Sequence, residues 1–458
     1  MRDGIRGAPG VDFSAEDVRG RFPDDEVEIR PLERPPEAEI PVPGSKSVTN
    51  RALIIAALAD GESILENPLL SDDSFHLMKS LHDLGFEVRV EGERVRISGR
   101  RGIIPRRSVE VFAGNAGTAA RFLPPMLALG EGPYFVDGVP RMRERPVGDL
   151  VDAMRSLGAS VGYAGEGGRF PLVVEGGGIR GGKARVEGGK SSQFLSGVMM
   201  SSPYADTAVE LEVSGGLVSR PYIGITMDVM RSFGVEVEER GGRFAIEPSK
   251  YRAREYAVEP DASGASYFLA AAALSGGRVR VPGLGRGSKQ GDLRFAEILR
   301  SMGCEVEISE EYVEVRGAGR LSGVRADMNE ISDTFITLAA IAPFAEGETV
   351  ITNIEHTRHQ ETDRISAVAT ELSRLGVEVE ERRDGLTVYP GVISPALVET
   401  YDDHRIAMAF SLVGLMAPGV RISNPACVSK TMPDYFDRLE LLRRPSDAAM
   451  LSSRPTRA

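Results

Sequence analysis

The sequence contains 458 residues, of which 41% are hydrophobic and 27% charged, enough apolar material for the cores of two or three domains. A formal net charge of −12 argues against a nucleic-acid partner, because such proteins usually carry a basic surface. The two cysteines, Cys304 and Cys427, are too few for a disulfide framework. The sequence has no run of about 18 apolar residues, so we predict no membrane span.

The first 25 residues carry little apolar pattern, and we predict that residues 1–25 form a flexible extension. The opening MRDGIRGAPGVDFSAEDVRG lacks the apolar stretch of a signal peptide. It also contains acidic residues, which transit peptides avoid. We therefore expect a cytoplasmic protein.

From Val27 onward, two motifs recur along the chain. One is a small-residue helix followed by a turn and a strand, as in AALADGESILEN, AALSGGRVRVPG and APFAEGETVITN. The other is a helix that stops at a glycine before an alternating strand: LHDLGFEVRV, MRSLGASVGY, MRSFGVEVEE, LRSMGCEVEI and LSRLGVEVEE. Copies recur about every 70 residues, which predicts an α/β protein of about six units, each with strands and two helices. We group the units as two clusters of three, with a break near Tyr256–Asp261.

The first helix of each unit opens with small polar residues. The six openings are SKSVTNRALIIAAL, GNAGTAARFL, SSQFLSGVMM, DASGASYFLAAAAL, SDTFITLAAIAP and DDHRIAMAFSL. Ser, Asp and Asn are ordinary N-cap residues, so a cap is the simplest interpretation of any single position. As a set, helix N-termini offer free N–H groups and a partial positive charge, which favour binding of anions.

Basic residues accompany these helix starts and the Gly-rich turns. They are Lys46, Arg51, Arg121, Arg145, Arg364, Arg405 and Lys430. A guanidinium group binds phosphate or carboxylate through paired hydrogen bonds, whereas a lysine acts as a point charge. Surface salt bridges with Asp363, Asp402 and Glu144 are the alternative for any one of them. The whole set predicts a site for a ligand with several negative charges.

The ordered motifs of the chain resemble those of the 5-enolpyruvylshikimate-3-phosphate synthase family. From about Val27 to Arg443 they are GSKSVTNRALIIAAL, GNAGTAAR, PRMRERPVGDLVDAM, SSQFLSG, VSRPYIGIT, ETDR, DDHRIAMAFSL and KTMPDYF. The resemblance implies a two-domain inside-out α/β barrel with three repeated βαβαββ units in each domain. It implies an N-terminal-type domain of residues 44–259, a C-terminal-type domain of residues 26–43 plus 260–458, and an active site in the cleft between them.

The resemblance also implies the reaction. The enolpyruvyl group of phosphoenolpyruvate would pass to the 5-hydroxyl of shikimate 3-phosphate, with release of phosphate, in the pathway to chorismate and the aromatic amino acids. The family needs no metal and no cofactor. We expect these two small-molecule substrates as partners, no nucleic-acid or membrane partner, and a monomer.

Site residues follow from the resemblance motif by motif. Shikimate 3-phosphate would be bound by Lys46, Ser47, Arg51, Ser191, Ser192, Gln193, Ser219, Tyr222, Asp333, His356 and Gln360. Phosphoenolpyruvate would be bound by Lys46, Gly117, Arg145, Gln193, Arg364, Arg405 and Lys430, with Asn115 and Arg121 in support.

Addition and elimination need a base near the attacking hydroxyl and an acid near the methylene carbon of phosphoenolpyruvate. The resemblance assigns the base to Asp333 and the proton donor to Glu361. Lys46 would stabilise the developing charge and share in proton transfer. Without the family motifs, Asp333 would be read as a helix cap and Glu361 as a salt-bridge partner of Arg364.

The segment NIEHTRHQETDR departs from the usual family pattern at two positions. His356 stands where asparagine is usual, and Gln360 stands where lysine is usual. Gln360 keeps its hydrogen bonding but loses a positive charge, so we expect weaker binding of shikimate 3-phosphate. His356 can donate or accept a hydrogen bond and compensate in part, and a surface histidine is the alternative.

Two other functions compete with this interpretation. An enolpyruvyl transferase acting on UDP-N-acetylglucosamine typically carries a catalytic cysteine near the region of Arg141–Arg145, where this chain has none. A non-catalytic relative that binds the same phosphorylated ligands is suggested by the changes at His356 and Gln360. The presence of Lys46, Asp333, Glu361 and Arg405 argues against it.

Overall fold

The computed structural model describes Phe22 and residues 25–444. The extension predicted for residues 1–25 therefore lies outside the described residues, apart from Phe22 and Asp25. The ring of Phe22 packs edge-on against Phe436, with 5.4 Å between the ring centroids. The amide of Asn424 donates to the carbonyl oxygen of Asp25 at 2.8 Å, so both residues are attached to the folded chain.

The strands in chain order are β1 (Glu26–Glu28), β2 (Glu37–Glu39), β3 (Asp60–Glu66), β4 (Glu87–Glu91), β5 (Arg94–Arg100), β6 (Glu110–Phe112), β7 (Glu131–Asp137), β8 (Ser160–Tyr163), β9 (Leu172–Gly176), β10 (Gly182–Glu187), β11 (Val209–Ser214), β12 (Glu238–Arg240), β13 (Arg243–Ile246), β14 (Glu255–Ala257), β15 (Arg278–Pro282), β16 (Glu305–Ile308), β17 (Tyr312–Arg316), β18 (Leu321–Ser322), β19 (Arg325–Asp327), β20 (Ala345–Glu346), β21 (Thr349–Thr352), β22 (Val379–Arg382), β23 (Gly385–Val388), β24 (Ala396–Val398) and β25 (Val420–Ser423).

The α-helices are α1 (Lys46–Leu58), α2 (Asp72–Asp83), α3 (Gly117–Leu127), α4 (Pro140–Glu144), α5 (Gly148–Ser156), α6 (Ser192–Ser201), α7 (Pro221–Ser232), α8 (Ala262–Ser275), α9 (Phe295–Ser301), α10 (Phe335–Ile341), α11 (Arg364–Arg374), α12 (His404–Met416) and α13 (Tyr435–Leu441). Short 3₁₀ segments cover Ser202–Tyr204, Gly291–Arg294, Asn329–Thr334, Ala342–Phe344, Glu355–His359 and Pro425–Lys430.

The chain divides into two compact units. The first contains Gly44–Glu259 together with His359–Glu361. The second contains the described residues before Gly44, then Pro260–Arg358, and the chain from Thr362 onward. The short segment His359–Glu361 thus belongs by its contacts to the first unit, although its neighbours on both sides belong to the second.

Among the described residues, the first unit holds three four-stranded sheets, with the orders β6-β7-β9-β8, β10-β11-β13-β12 and β14-β3-β5-β4. In each sheet the first two strands run parallel and the later neighbours run antiparallel. β14 lies at the end of this stretch of chain, yet it pairs with β3 near its beginning, with Glu255 opposite Ile64. The three sheets therefore repeat one pattern.

In the part of the chain that the structure describes, the second unit repeats the same pattern in two four-stranded sheets and one three-stranded sheet. Their orders are β16-β17-β15-β2, β19-β21-β23-β22 and β1-β25-β24, and a small β18-β20 pair lies beside them. β2 and β1 come from the beginning of the chain and pair with β15 and β25, respectively. The predicted α/β architecture of repeated units is confirmed.

The first helix of each repeat lies at the centre of its unit. In the first unit α1, α3 and α6 pack against one another, and in the second unit α8, α10 and α12 do the same. Ala262–Leu274 of α8 and His404–Leu415 of α12 are buried throughout. A helix with apolar and small residues on every side must be covered on every side, which explains why these helices are enclosed by sheets and by the amphipathic second helices.

The predicted glycine stops are confirmed in their backbone geometry. Gly85, Gly158, Gly234, Gly303 and Gly376 end the helices before the alternating strands, and all have φ between +84° and +105°. Only glycine adopts this region without a steric penalty, which is why the motif carries glycine in each copy. Within the described residues, no helix is both long and apolar enough to cross a membrane.

Candidate active site

The start of α1 places the first predicted residues, Lys46 and Ser47, in its first turn. The Nζ atom of Lys46 lies 3.5 Å from Oδ2 of Asp73, whose side chain is only 4% exposed. Asp73 lies in the first turn of α2, where a carboxylate is also favoured by the helix dipole. The ammonium group is therefore oriented by a buried carboxylate that the sequence did not single out.

Arg51 lies one turn further along α1 and bonds the backbone of two other predicted residues, Ser47 and Tyr222. Its Nε donates to Oγ1 of Thr226 at 2.7 Å, and its Nη1 donates to the Ser47 carbonyl oxygen at 2.8 Å. Its Nη2 donates to Oγ of Ser196 and to the Tyr222 carbonyl oxygen, both at 3.1 Å. Residues in the first halves of α1, α6 and α7 therefore surround one buried guanidinium. Burial lowers the pKa of Arg51 to about 10, which still leaves it charged at neutral pH.

Ser191 and Ser192 lie at a helix start, as predicted, and Ser219 lies just before another. Ser191 caps α6, and its Oγ accepts the amide hydrogen of Gln193 at 3.2 Å. Ser192 is buried in the first turn of α6. Ser219 has a φ of +51°, and its carbonyl oxygen accepts from the amide of Tyr222 at 3.1 Å at the beginning of α7.

Gly117 begins α3 beside two buried arginines. A Cβ atom at Gly117 would lie 3.0 Å from Nη2 of Arg145, so glycine lets that guanidinium lie against the helix start. Arg121 is 3% exposed and lies over the ring of Phe170, 5.7 Å from its centroid. Its pKa is lowered well below the ordinary value, first by burial and then by repulsion from Arg145, while Glu361 acts in the opposite direction. The helix start therefore carries concentrated positive charge, with Glu361 within electrostatic reach. Asn115 lies two residues before this helix.

In the second unit, Asp333 lies between two predicted arginines. Nη1 of Arg364 is 3.1 Å from Oδ1 of Asp333, and Nη2 of Arg405 is 2.7 Å from Oδ2. Arg364 is also held by Asp403, through distances of 2.7 and 3.2 Å to its two oxygens. Nη1 of Arg405 contacts the hydroxyl of Tyr267 at 3.4 Å, and burial raises the pKa of that hydroxyl to about 12.

These contacts exclude the alternative that the two arginines form surface salt bridges with Asp363 and Asp402. Arg364 and Arg405 are 1% and 5% exposed, so they are not surface ion pairs. Asp363 instead receives two bonds of 2.9 Å from Arg358, and Asp402 accepts from Asn424. The expected helix start at Ser332 is also wrong in detail, because Asp333 lies in the 3₁₀ segment Asn329–Thr334 and α10 begins only at Phe335.

His356 is not a surface residue. It is 8% exposed, and its Nε2 lies 2.9 Å from Oγ of Ser332, the residue before Asp333. The histidine therefore fixes the turn that carries Asp333.

Lys430 is 6% exposed and ends the 3₁₀ segment Pro425–Lys430, so it does not lie at the start of an α-helix.

Gln360 and Glu361 lie in the segment that belongs to the first unit. Their carbonyl oxygens accept hydrogen bonds from the guanidinium of Arg141 in α4. Arg141 was assigned no role of its own from the sequence.

A buried carboxyl, Asp292, completes the surroundings of Asp333. It is 4% exposed and accepts a hydrogen bond from Oγ of Ser263 in the first turn of α8. Burial raises its pKa to about 7, and the charge of Asp333 adds to the rise. Its motif, GDLRFAEIL, follows the repeat pattern and gave no sign of this environment. Across Phe22 and residues 25–444, no group of three His, Cys, Asp or Glu side chains could hold a metal ion.

Buried guanidinium groups at helix starts, an oriented ammonium group and a carboxylate held by two arginines are the features of an α/β protein suited to binding anions. The class follows from the described residues of both units.

Comparison with known proteins gives the family. The profile of EPSP synthase (3-phosphoshikimate 1-carboxyvinyltransferase) matches residues 33–439. The 3-phosphoshikimate 1-carboxyvinyltransferase of Nostoc punctiforme is 50% identical over 418 residues, which cover 90% of this chain and 98% of the relative. The enzyme of that name from Cupriavidus necator is 49% identical over 409 residues, covering 86% and 94%.

A solved structure of EPSP synthase from Acinetobacter baumannii superposes with a TM-score of 0.76, covering 91% of this chain and 97% of that one. At 24% identity, this likeness supports the fold alone. The chain belongs to the EPSP synthase family, and the resemblance of its motifs to that family is confirmed.

Proposed function

We propose that this chain transfers the enolpyruvyl group of phosphoenolpyruvate to the 5-hydroxyl of shikimate 3-phosphate, and that residues of both units carry out this one reaction. The membership of the family supports the reaction. The observation that supports the residue roles is the carboxylate of Asp333, held through separate oxygens by Arg364 and Arg405.

The substrates together carry two phosphates and two carboxylates, or about −5 to −6 charges at neutral pH. Phosphoenolpyruvate is bound by Lys46, Gly117, Arg145, Gln193, Arg364, Arg405 and Lys430. Shikimate 3-phosphate is bound by Lys46, Ser47, Arg51, Ser191, Ser192, Gln193, Ser219, Tyr222, Asp333, His356 and Gln360. Guanidinium forks suit the planar carboxylate and the phosphate oxygens, and the serine hydroxyls suit the ring hydroxyls and the second phosphate.

The reaction proceeds by addition and then elimination. The 5-hydroxyl oxygen bonds to the central carbon of phosphoenolpyruvate while Asp333 accepts the hydroxyl proton, and Glu361 gives a proton to the methylene carbon. The new methyl group then returns a proton to the Glu361 carboxylate, and the carbon–oxygen bond to phosphate breaks, which restores the double bond; the hydroxyl proton held by Asp333 leaves with the phosphate. Lys46 stabilises the negative charge that develops as these bonds change.

The surroundings of Asp333 suit a base that works only when the substrates are present. Two buried guanidinium groups bond it, and their positive charge opposes uptake of a proton. An anion that binds the same guanidinium groups offsets this charge, so binding of phosphoenolpyruvate makes Asp333 a better proton acceptor. Fixed hydrogen bonds keep its oxygens in place meanwhile.

Phosphate release tests the proposed function. Purified protein is supplied with phosphoenolpyruvate and either shikimate 3-phosphate or UDP-N-acetylglucosamine, and we expect release only with the first acceptor. Release with the second would replace this function by that of the related transferase. Tight binding of both proposed substrates without release would favour the non-catalytic relative.

Asp333→Asn tests the role of the base. The amide keeps the shape but cannot take the proton, so we expect kcat to fall by about 10²- to 10⁴-fold. Asp402→Asn is the matched control, because Asp402 is exposed and only accepts a bond from Asn424. Equal rates for the two variants would remove Asp333 from the mechanism.

We further propose that the protein works as a monomer in the cytoplasm. Cys304 and Cys427 are both buried free thiols, which is typical of proteins from reducing compartments. Light scattering that gives the mass of a dimer or a larger assembly would overturn the monomer.

A further inference from the structure

The Arg141 side chain is 34% exposed, yet it donates hydrogen bonds to two backbone carbonyl groups and to one carboxylate. Its Nε donates to the carbonyl oxygens of Gln360 at 3.2 Å and Glu361 at 3.1 Å. Its Nη2 donates to the Gln360 carbonyl oxygen at 3.0 Å. Its Nη1 donates to Oε2 of Glu144 at 2.7 Å, so a neighbour on the same short helix orients the guanidinium.

Two consecutive carbonyl groups held by one planar group restrict the backbone of the residue between them, Glu361. A guanidinium can do this because its donors lie in a rigid fork, whereas the ammonium group of a lysine is a single point with freely rotating donors. The directions of the Gln360 and Glu361 side chains depend on this stretch of backbone, because each Cα–Cβ bond is fixed relative to its own backbone atoms.

The segment that Arg141 bonds is only three residues long. His359–Glu361 belongs to the first unit, while Arg358 and Thr362 on either side belong to the second. Arg358 is itself held in the second unit by Asp363 and Glu381. A segment of this length needs its own bonds to keep one conformation, since its backbone lies outside any helix or strand except at His359.

We propose that Arg141 is a positioning residue for the enolpyruvyl transfer, which fixes the backbone at Gln360–Glu361 so that the Glu361 carboxyl faces the methylene carbon and Gln360 faces shikimate 3-phosphate. This inference rests on the proposed function. Arg141 itself binds no substrate. Its effect passes through the two residues whose carbonyl groups it holds.

The kinetic test compares two arginines of the same helix. Arg143, two residues along α4, bonds the side chain of Asp137, so Arg143→Ala removes an arginine without touching the segment. We expect Arg141→Ala to lower kcat by about 10- to 100-fold, because small displacements of a reacting group are costly, and to raise KM for shikimate 3-phosphate. Arg143→Ala should stay within about twofold of the wild type, and Arg141→Lys should recover only part of the loss.

A double variant separates positioning from a general loss of structure. If Arg141 acts through Glu361, then Arg141→Ala should change kcat little when Glu361 is already Gln, so the two effects should not multiply. Incorporation of solvent deuterium into the methylene group of phosphoenolpyruvate should fall with Arg141→Ala alone. Multiplying effects, or an Arg141→Ala rate equal to that of Arg143→Ala, would overturn the inference.

Hydrogen exchange tests the attachment without any substrate. The amides of residues 359–362 should exchange faster in Arg141→Ala than in Arg143→Ala, because the segment has lost its carbonyl bonds. Unchanged exchange would overturn the inference even if the wild type were active. Faster exchange in a protein that releases no phosphate would place the failure in the proposed function instead.

Discussion

The two units hold their most buried arginines in opposite ways. Arg51 of the first unit and Arg364 of the second are each 1% exposed. Arg51 donates only to hydroxyl and carbonyl oxygens, from Thr226, Ser196, Ser47 and Tyr222. Arg364 donates to carboxylates, both oxygens of Asp403 and one of Asp333.

This difference decides what each arginine can do. Neutral acceptors orient the guanidinium of Arg51 but leave its full positive charge for a ligand, at the cost of a lowered pKa. Carboxylates offset the charge of Arg364 and at the same time give the second unit a candidate base. Arg51 therefore keeps its charge for an anion, whereas Arg364 shares its charge with two carboxylates.

Replacing each arginine by methionine should separate the two arrangements most strongly. Arg364→Met leaves the buried carboxylate of Asp403 without its guanidinium partner and Asp333 with Arg405 in place of two arginines, so we expect the free energy of unfolding to fall by about 3–5 kcal/mol. Arg51→Met leaves neutral groups with unmade hydrogen bonds, and the expected fall is about 1–3 kcal/mol. Urea unfolding at pH 7 measures both. A larger loss for Arg51→Met would contradict the contrast.

The buried carboxyl groups near Asp333 should also make the stability of the protein depend on pH. The folded pKa of Asp292, about 7, lies above its ordinary value because of burial and the nearby Asp333, with Asp261 adding to the rise and Arg405 opposing it. Between these two values the folded protein keeps a proton that the unfolded chain has lost, so stability falls as pH rises. The contribution is complete at acidic pH, below the unfolded pKa, and is lost as pH rises through about 7.

Asp292→Asn isolates this contribution because the amide stays neutral at every pH. The stability of the variant relative to the wild type should rise by up to about 1.4 kcal/mol per pH unit as the pH is raised from acidic values to 7. Paired urea titrations at pH 5, 6, 7 and 8 would measure it. A pH-independent difference would show that Asp292 has an ordinary acidity.

The smallest expected effect concerns the positive charge that Gln360 lacks. Gln360→Lys should lower KM for shikimate 3-phosphate by about twofold to fivefold, the effect expected of one partly exposed charge pair. His359→Lys is the matched control, since it adds the same charge one residue away on an exposed side chain. An unchanged or higher KM for Gln360→Lys would refute the hypothesis that the glutamine weakens phosphate binding.

The helix starts were predictable because their signals are local. Ser191, Asp261 and Asp403 cap α6, α8 and α12 through side-chain bonds to backbone amides two or three residues ahead. The glycine stops were predictable for the same reason. The start near Ser332 was misplaced because Ser332–Thr334 end a 3₁₀ segment rather than form the first turn of α10, and apolar periodicity does not distinguish these two kinds of helix.

Other features depend on residues far apart in the chain. β2 and β14 are three residues long and read EAE and EYA, too short to show a strand pattern or a partner. The bonds of Arg364 to Asp403 and of Arg141 to Gln360 join residues separated by 39 and 219 positions. A single sequence shows which residues are charged but not which groups they contact in the fold, which is why Asp403, Asp292 and Arg141 were missed.

The pairing of β2 with β15 sets an order of assembly during synthesis on the ribosome. Glu37 cannot pair with Arg278 until that residue, 241 positions later, has been synthesised. Synthesis of this stretch takes roughly 12–48 s at ordinary elongation rates. The outer strand pair of the first unit, β14 with β3, is already available once Ala257 has emerged. The first unit can thus fold before the second has been synthesised, while β1 and β2 still lack their strand partners. Of these two strands, β1 remains unpaired for longer, until Ser423 has been synthesised.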